Sequence, residues 1–193
     1  GDTTPDAGDH TDFGAADIAT GSVVRTFAVA NLGLDTLHLT GTPIVAISGT
    51  HAGEFTVTTD PDATIPVSGS TSCQIAFDPA AIGLRNASVS ITNDDADENP
   101  YTFAIQGNGT ATPDITAQGN GAEIANGDAI PTATDHTDFG TTDILGGTIV
   151  RTFTIANTGS ASLTLNGTPL VAISGPHAAD FTLAALPATS IAV

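Results

Sequence analysis

The stretch Asp9-His10-Thr11-Asp12-Phe13-Gly14 returns as Asp135-His136-Thr137-Asp138-Phe139-Gly140, and the subtraction 138 − 12 gives a period of 126 residues. The same offset relates three further pairs of segments without a gap: 24–27 to 150–153, 41–43 to 167–169 and 46–49 to 172–175. A long period made of short apolar runs is typical of a whole β domain that is copied along the chain. The sequence therefore predicts tandem repeats of one domain.

The second copy covers only part of this period. Val193 corresponds to Val67, so the strong strand patterns around Ile75, Val89 and Phe103 have no counterpart after it. Half a sandwich would leave open strand edges and an uncovered apolar face, which proteins normally avoid. Two alternatives follow. Either the sequence is an excerpt of a longer protein, or a neighbouring chain supplies the missing strands by β-augmentation.

Short alternating runs separated by turn residues predict the fold of each copy. In the run 23–30, Phe27 and Val29 face one side while Thr26 and Ala28 face the other. Asp accounts for 18 of the 21 acidic residues, and this composition favours turns over helices. Turn signals at spacings of roughly 8 to 12 residues are typical of a sandwich.

The fold prediction is therefore an all-β chain of tandem immunoglobulin-like antiparallel β-sandwich repeats with a 126-residue period. It places a complete repeat at residues 1–110 and an inter-repeat connection with a short strand at 111–130. The first half of a second repeat follows at 131–193, completed by missing sequence or by a neighbouring chain.

The charge of the chain restricts its partners. There are 21 acidic residues against three arginines and no lysine, for a net charge of −18. Such a surface repels nucleic acid and anionic membranes, so we exclude both as direct partners. No apolar run approaches the roughly 18 residues of a membrane span. The same charge suits salty or cation-rich surroundings, and we expect Arg25, Arg85 and Arg151 to pair with carboxylates.

The loop from Asn93 to Asn99 is the best candidate for metal chemistry. It holds four carboxylates within five positions, Asp94, Asp95, Asp97 and Glu98. These groups repel one another unless water or a cation separates them, and calcium accepts six to eight oxygen ligands in loose geometry. The spacing does not match an EF-hand. Two interpretations stay open, a calcium site and a solvated polar turn, and we expect no other cofactor.

Histidines and the lone cysteine offer weaker candidates. His10 and His136 lie at equivalent positions beside aspartates, and His51 corresponds to His177. Because each recurs at the same point of the repeat, we expect structural roles in turns rather than catalysis or metal binding. Cys73 alternates with apolar residues, which predicts a buried thiol that packs like a small hydrophobic side chain.

Several segments together resemble a known family. The segments Arg25–Gly33 (RTFAVANLG), Phe77-Asp78-Pro79 and Asn99–Gly107 (NPYTFAIQG) are similar to the bacterial choice-of-anchor D repeats. More distantly, they resemble the Hydin-type and major-sperm-protein-like immunoglobulin sandwiches. The resemblance covers nearly the whole chain, and its motifs are turn and core positions. It implies a module of a large secreted or surface-anchored protein, and therefore an extracellular or cell-surface location.

The sequence favours a structural function. It contains no phosphate loop, nucleophile elbow or zinc spacing, so we expect no enzyme. The preferred hypothesis is a structural repeat module that forms a stalk, adhesin or head-to-tail filament. Its partners would be neighbouring repeats or copies of itself, in a head-to-tail or strand-complemented polymer. The alternative is a carbohydrate- or ligand-binding module with a glycan partner, although aromatics are scarce and Tyr101 is expected to face inward.

Overall fold

The computed structural model describes all residues 1–193 and divides them into two compact units, Gly1–Ala111 and Thr112–Val193. The first unit contains nine strands: β1 Asp12–Asp17, β2 Val23–Ala30, β3 Leu37–His38, β4 Val45–Ser48, β5 Phe55–Thr59, β6 Thr64–Ile65, β7 Ser70–Phe77, β8 Gly83–Ile91 and β9 Tyr101–Thr110. The second contains five: β10 Ile115–Gly119, β11 Ala122–Ile124, β12 Phe153–Asn157, β13 Leu163–Thr164 and β14 Ser190–Ile191.

The only helical elements are two 3-10 turns, Ala52–Glu54 and Ala178–Asp180. The all-β fold prediction is therefore confirmed. Neither helical turn has the length to cross a bilayer, and the structure contains no other helix that does.

Two main sheets form the first unit. One has the order β1-β9-β8-β4, in which β1 runs parallel to β9 and the other pairs are antiparallel. The other is antiparallel with the order β2-β7-β5, and β3 pairs separately with β6. This architecture is consistent with an immunoglobulin-like sandwich.

Alternating residues of β7, β8 and β9 supply much of the core. Cys73, Ile75 and Phe77 of β7 are fully buried, as are Val89 of β8 and Ile105 of β9. Burial of a large apolar side chain stabilises a fold by about 1.5–3 kcal/mol. The predicted burial of Cys73 is thus confirmed.

An aromatic cluster extends this core. The Phe13 ring meets the Phe55 ring edge-on with 5.4 Å between centroids, and Phe55 stacks on Phe77 at 4.8 Å. These geometries are the favourable ones for aromatic pairs. The repeated segment that contains Phe13 therefore anchors β1 to the core of the first unit.

The arginines differ in their partners. Arg85 forms the expected ion pair, with 3.4 Å between its Nε and Glu54 Oε2. In contrast, Arg25 Nη2 donates to the Phe13 carbonyl at 3.3 Å, and Arg151 Nη2 donates to the Phe139 carbonyl at 3.5 Å. The expectation of carboxylate partners was wrong for these two, because the main chain of the repeated segment lies closer to them.

The second unit is built around a hairpin and one further strand. Its sheet has the order β11-β10-β12, and both pairings of β10 are antiparallel. β13 and β14 form a separate pair. Strands β10 and β11 fall in the stretch 111–130 that the sequence assigned to the inter-repeat connection, and both belong to this unit.

Candidate functional site

A cavity of about 620 Å³ lies along β2 in the first unit. We call it the β2 groove. Its apolar part includes Phe27 and Phe103, whose ring centroids are 5.3 Å apart. Four carboxylate side chains add negative charge to its lining: Asp2, Asp9, Asp95 and Glu98. The groove thus combines an aromatic floor with an acidic rim.

Tyr101 lies at this groove rather than in the core. It is the first residue of β9, pairs with Ile91 at the end of β8, and is 51% exposed. Its ring meets the Phe103 ring at 6.4 Å. Tyr101 lies on the expected face of β9, which it shares with Phe103 and with its 3% exposed partner Ile91, but the ring borders the groove and is not buried.

The acidic loop is organised by Asn93, a residue that the sequence analysis did not single out. Asn93 is 6% exposed, and its Oδ1 accepts the Asp95 N–H at 2.8 Å. Its Nδ2 donates to the carbonyls of Ile91 and Glu98, both at 3.2 Å. The one available signal was an asparagine two residues past the end of β8, where its amide can replace main-chain partners.

The four carboxylates of this loop have different surroundings. Asp94 Oδ1 accepts the His38 N–H at 2.8 Å, which ties the loop to β3. A side-chain hydrogen bond with Asp97 raises the pKa of Asp95, and repulsion from Asp97 and Asp94 adds to this effect. The chain contains no group of three or more His, Cys, Asp or Glu side chains arranged to hold a metal ion. Calcium binding by Asp94, Asp95, Asp97 and Glu98 stays a prediction.

The repeated segments form the same turn in both units. His10 and His136 have positive φ angles of 71° and 64°. The preceding aspartates each accept a threonine hydroxyl at 2.6 Å, Asp9 from Thr11 and Asp135 from Thr137. These hydrogen bonds lower the pKa of both carboxyls. Each histidine therefore lies in a turn that is stabilised by the hydrogen bond between the aspartate before it and the threonine after it.

His51 and Cys73 have surroundings that fit structural roles. His51 Nδ1 accepts the Asn86 N–H at 3.0 Å, and the Asn86 carbonyl accepts the His51 N–H at 3.2 Å. This exchange connects the 3-10 turn region to β8. Burial raises the pKa of the Cys73 thiol, which disfavours the nucleophilic thiolate.

Comparison with known proteins identifies the type of domain. The model of the family described as HYDIN/CFA65/VesB-like, Ig-like domain matches residues 7–108, which is more than half of the chain. This match confirms the immunoglobulin-like domain and the Hydin-type resemblance. The narrower choice-of-anchor D assignment stays a prediction. A search of curated protein sequences finds no match.

Solved structures give weaker likenesses. A protein of unknown function from Porphyromonas gingivalis W83 is 20% identical, with a TM-score of 0.41 over 51% of this chain and 44% of its own. The VesB protease of Vibrio cholerae is 20% identical, with a TM-score of 0.37 over 53% and 33%. The secreted serine protease VesC of Vibrio cholerae is 11% identical, with a TM-score of 0.41 over 53% and 22%. The chain thus spans less than half the length of each protein.

Proposed function

Because the chain belongs to the HYDIN/CFA65/VesB-like family of Ig-like domains, we propose that it is a structural, non-catalytic module of an extracellular or cell-surface protein. In this proposal, copies of one β domain follow each other along the polypeptide. They form a stalk, an adhesin or a head-to-tail filament, and their partners are neighbouring copies. Such arrays gain reach with each added copy, since each copy contacts only its neighbours.

The observation that carries this proposal is the return of the same local structure at an offset of 126 residues. The Asp9 turn and the Asp135 turn share their hydroxyl hydrogen bonds, at 2.6 Å in both cases. The arginine-to-carbonyl contacts also recur, from Arg25 in the first unit and Arg151 in the second. Because these hydrogen bonds recur wherever the sequence recurs, they support a structural role for the repeated domain.

The extracellular location is supported by charge. A net charge of −18 without a lysine keeps a protein soluble in salty, cation-rich surroundings. Antibodies raised against the chain test this location on intact and permeabilised cells of the source organism. We expect labelling of intact cells or of the culture medium, and labelling confined to permeabilised cells would contradict the location.

Small-angle X-ray scattering tests the stalk. The full chain is compared with a longer chain in which a further copy of residues 1–126 is joined ahead of Gly1. If copies are arranged along a line, the maximum dimension increases by about the length of one repeat. A maximum dimension that grows only as the cube root of the mass would contradict a linear array. Electron microscopy of the same samples distinguishes single particles from filaments.

A ligand-binding module is the second candidate, and the exposure of Tyr101 favours it. The half-exposed ring stands in the β2 groove, which has the volume of a small-ligand site. A glycan array with the full chain and the Tyr101→Ala variant tests this candidate. Reproducible binding that the substitution abolishes would favour it over the structural proposal. Absence of binding would reject it, and equal binding by the two chains would reject a site at Tyr101.

A further inference from the structure

The first unit has an open strand edge. β2 ends the sheet β2-β7-β5, so only one of its edges is paired. The Asn31 N–H donates to the Gly69 carbonyl at 3.0 Å, in register with the β2–β7 pairs, so the odd-numbered residues of β2 bond to β7. The N–H and C=O groups of Ala28 and Ala30 therefore point away from β7. Both residues line the β2 groove.

The corresponding edge of the second unit is occupied. The offset of 126 relates β12, Phe153–Asn157, to residues 27–31. The Thr158 N–H donates to the Asp114 carbonyl at 2.8 Å, in register with the pairs between β10 and β12. The even-numbered residues of β12, such as Ala156, therefore bond to β10. β10 lies on the edge of β12 that corresponds to the open edge of β2.

The hairpin of β10 and β11 also covers the Asp135 turn. Asp135 is 6% exposed, and a Cβ atom on Gly119 would overlap the Asp135 carbonyl oxygen. The Asn120 side chain donates to the Thr134 carbonyl at 3.2 Å. In the first unit, the counterpart Asp9 is exposed and lines the β2 groove. Both surfaces that the hairpin covers in the second unit are thus open in the first.

Two exposed leucines continue the open edge. Leu32 is 91% exposed and Leu34 is 98% exposed. Their counterparts in the second unit contact the segment before β10: Thr158 Oγ1 donates to Asp114 Oδ2 at 2.9 Å, and the Ser160 N–H donates to the Thr112 carbonyl at 2.7 Å. Large exposed apolar side chains beside a groove are typical of a contact surface.

We propose that the outer edge of β2 is a strand-acceptor site. Its occupant is an extended segment of the same polypeptide, similar in sequence to residues 112–126, that lies ahead of Gly1 as 112–126 lie ahead of Gly127. The segment adds to β2 as an antiparallel strand and bonds to the main chain of Ala28 and Ala30, which is β-augmentation within one chain. Ile115–Gly119 carries no charged side chain, which suits a groove with an acidic rim.

This inference rests on the proposed function, because a tandem array places such a segment before every copy. In this arrangement, the segment that connects two copies serves as the first strand of the second of them. An edge strand with unpaired N–H and C=O groups can pair with strands of other molecules, and a strand that occupies the edge prevents this pairing.

The test joins a copy of residues 112–126 directly ahead of Gly1 of the full chain, which reproduces the spacing seen before Gly127. Amide hydrogen exchange is measured by NMR at Ala28 and Ala30, with Phe27 and Val29 as internal references that already face β7. We expect exchange at Ala28 and Ala30 to slow by about tenfold or more, as for amides that enter a stable sheet. The exchange rates of Phe27 and Val29 should change less, and the melting temperature of the first unit should rise.

The matched control carries Thr116→Pro in the added copy alone. Proline cannot donate the hydrogen bond to the strand edge and is excluded from a central strand. The control should exchange like the original chain, and equal exchange in all three chains would overturn the proposal. If the original chain dimerises with concentration and protects the same amides, the occupant is a second copy, which also overturns it. The Ala28 and Ala30 amides can become protected while the scattering experiment shows no linear growth in maximum dimension. That combination would support the acceptor edge and reject the stalk.

Discussion

At the residue scale, the ion pair between Arg85 and Glu54 makes a direct prediction about stability. The side chains are only 14% and 15% exposed, so loss of one charge leaves the other poorly solvated. We expect Glu54→Gln to lower the free energy of unfolding by about 1–3 kcal/mol. Urea unfolding measures this change. Glu98→Gln is the matched control on an exposed loop, and equal midpoints for the two variants would contradict the prediction.

The Asp135 turn predicts a pH dependence. Hydrogen bonds from Thr137 and Thr132 lower the pKa of Asp135 below its ordinary value of 3.8. A carboxyl with a lowered folded-state pKa contributes stability that is present above the ordinary value and is lost as the pH falls through the folded-state value. Thr137→Val should therefore raise the pKa of Asp135 and reduce this loss. NMR titration of the Asp135 carboxyl measures this pKa in the original chain and in the variant. Identical titration curves would contradict the role of the Thr137 hydroxyl.

The acidic loop predicts the response to calcium. Asp94 is held by His38 and Asp95 shares a hydrogen bond with Asp97, so the solvated-turn interpretation expects an unchanged melting temperature when calcium is added. Calcium that binds only the folded state would raise it. Scanning calorimetry with calcium or with chelator decides between the two. A rise that Asp95→Asn abolishes would establish the calcium site.

At the element scale, β10 depends on a residue without a side chain. A Cβ atom on Gly119 would overlap the Asp135 carbonyl, so Gly119→Val should separate the hairpin from the turn. We expect faster amide exchange at Ala156 and a lower melting temperature of the second unit. Gly121→Val is unsuitable as a control because Gly121 has a φ of 77°. Ala122→Val in β11 serves instead, and equal effects of the two would contradict the specific contact.

The periodicity of the sequence predicted the strands whose inward and outward faces follow from the local alternation of apolar and polar residues. Alternation in β7, β8 and β9 identified the inward side chains of the core, including Cys73 and Ile75. It could not predict that β1 runs parallel to β9, or which edge of β12 receives β10, because both depend on pairing between distant segments. The partner of Arg25 and the exposure of Tyr101 were missed for the same reason.

At the scale of the whole molecule, the central claim is that one sandwich is copied with a 126-residue offset. The most direct measurement uses a chain in which a copy of residues 68–126 follows Val193, since Val193 corresponds to Val67. We predict that the added counterpart of β7 pairs with β12 through the odd-numbered residues of β12.

Amide exchange of that chain then decides the matter. The Phe153 and Ile155 amides, which face away from β10, should become as protected as those of Phe27 and Val29 in the first unit. If Phe153 and Ile155 exchange as fast in the completed chain as in the present one, the second unit is not a copy of the first, and the claim is contradicted.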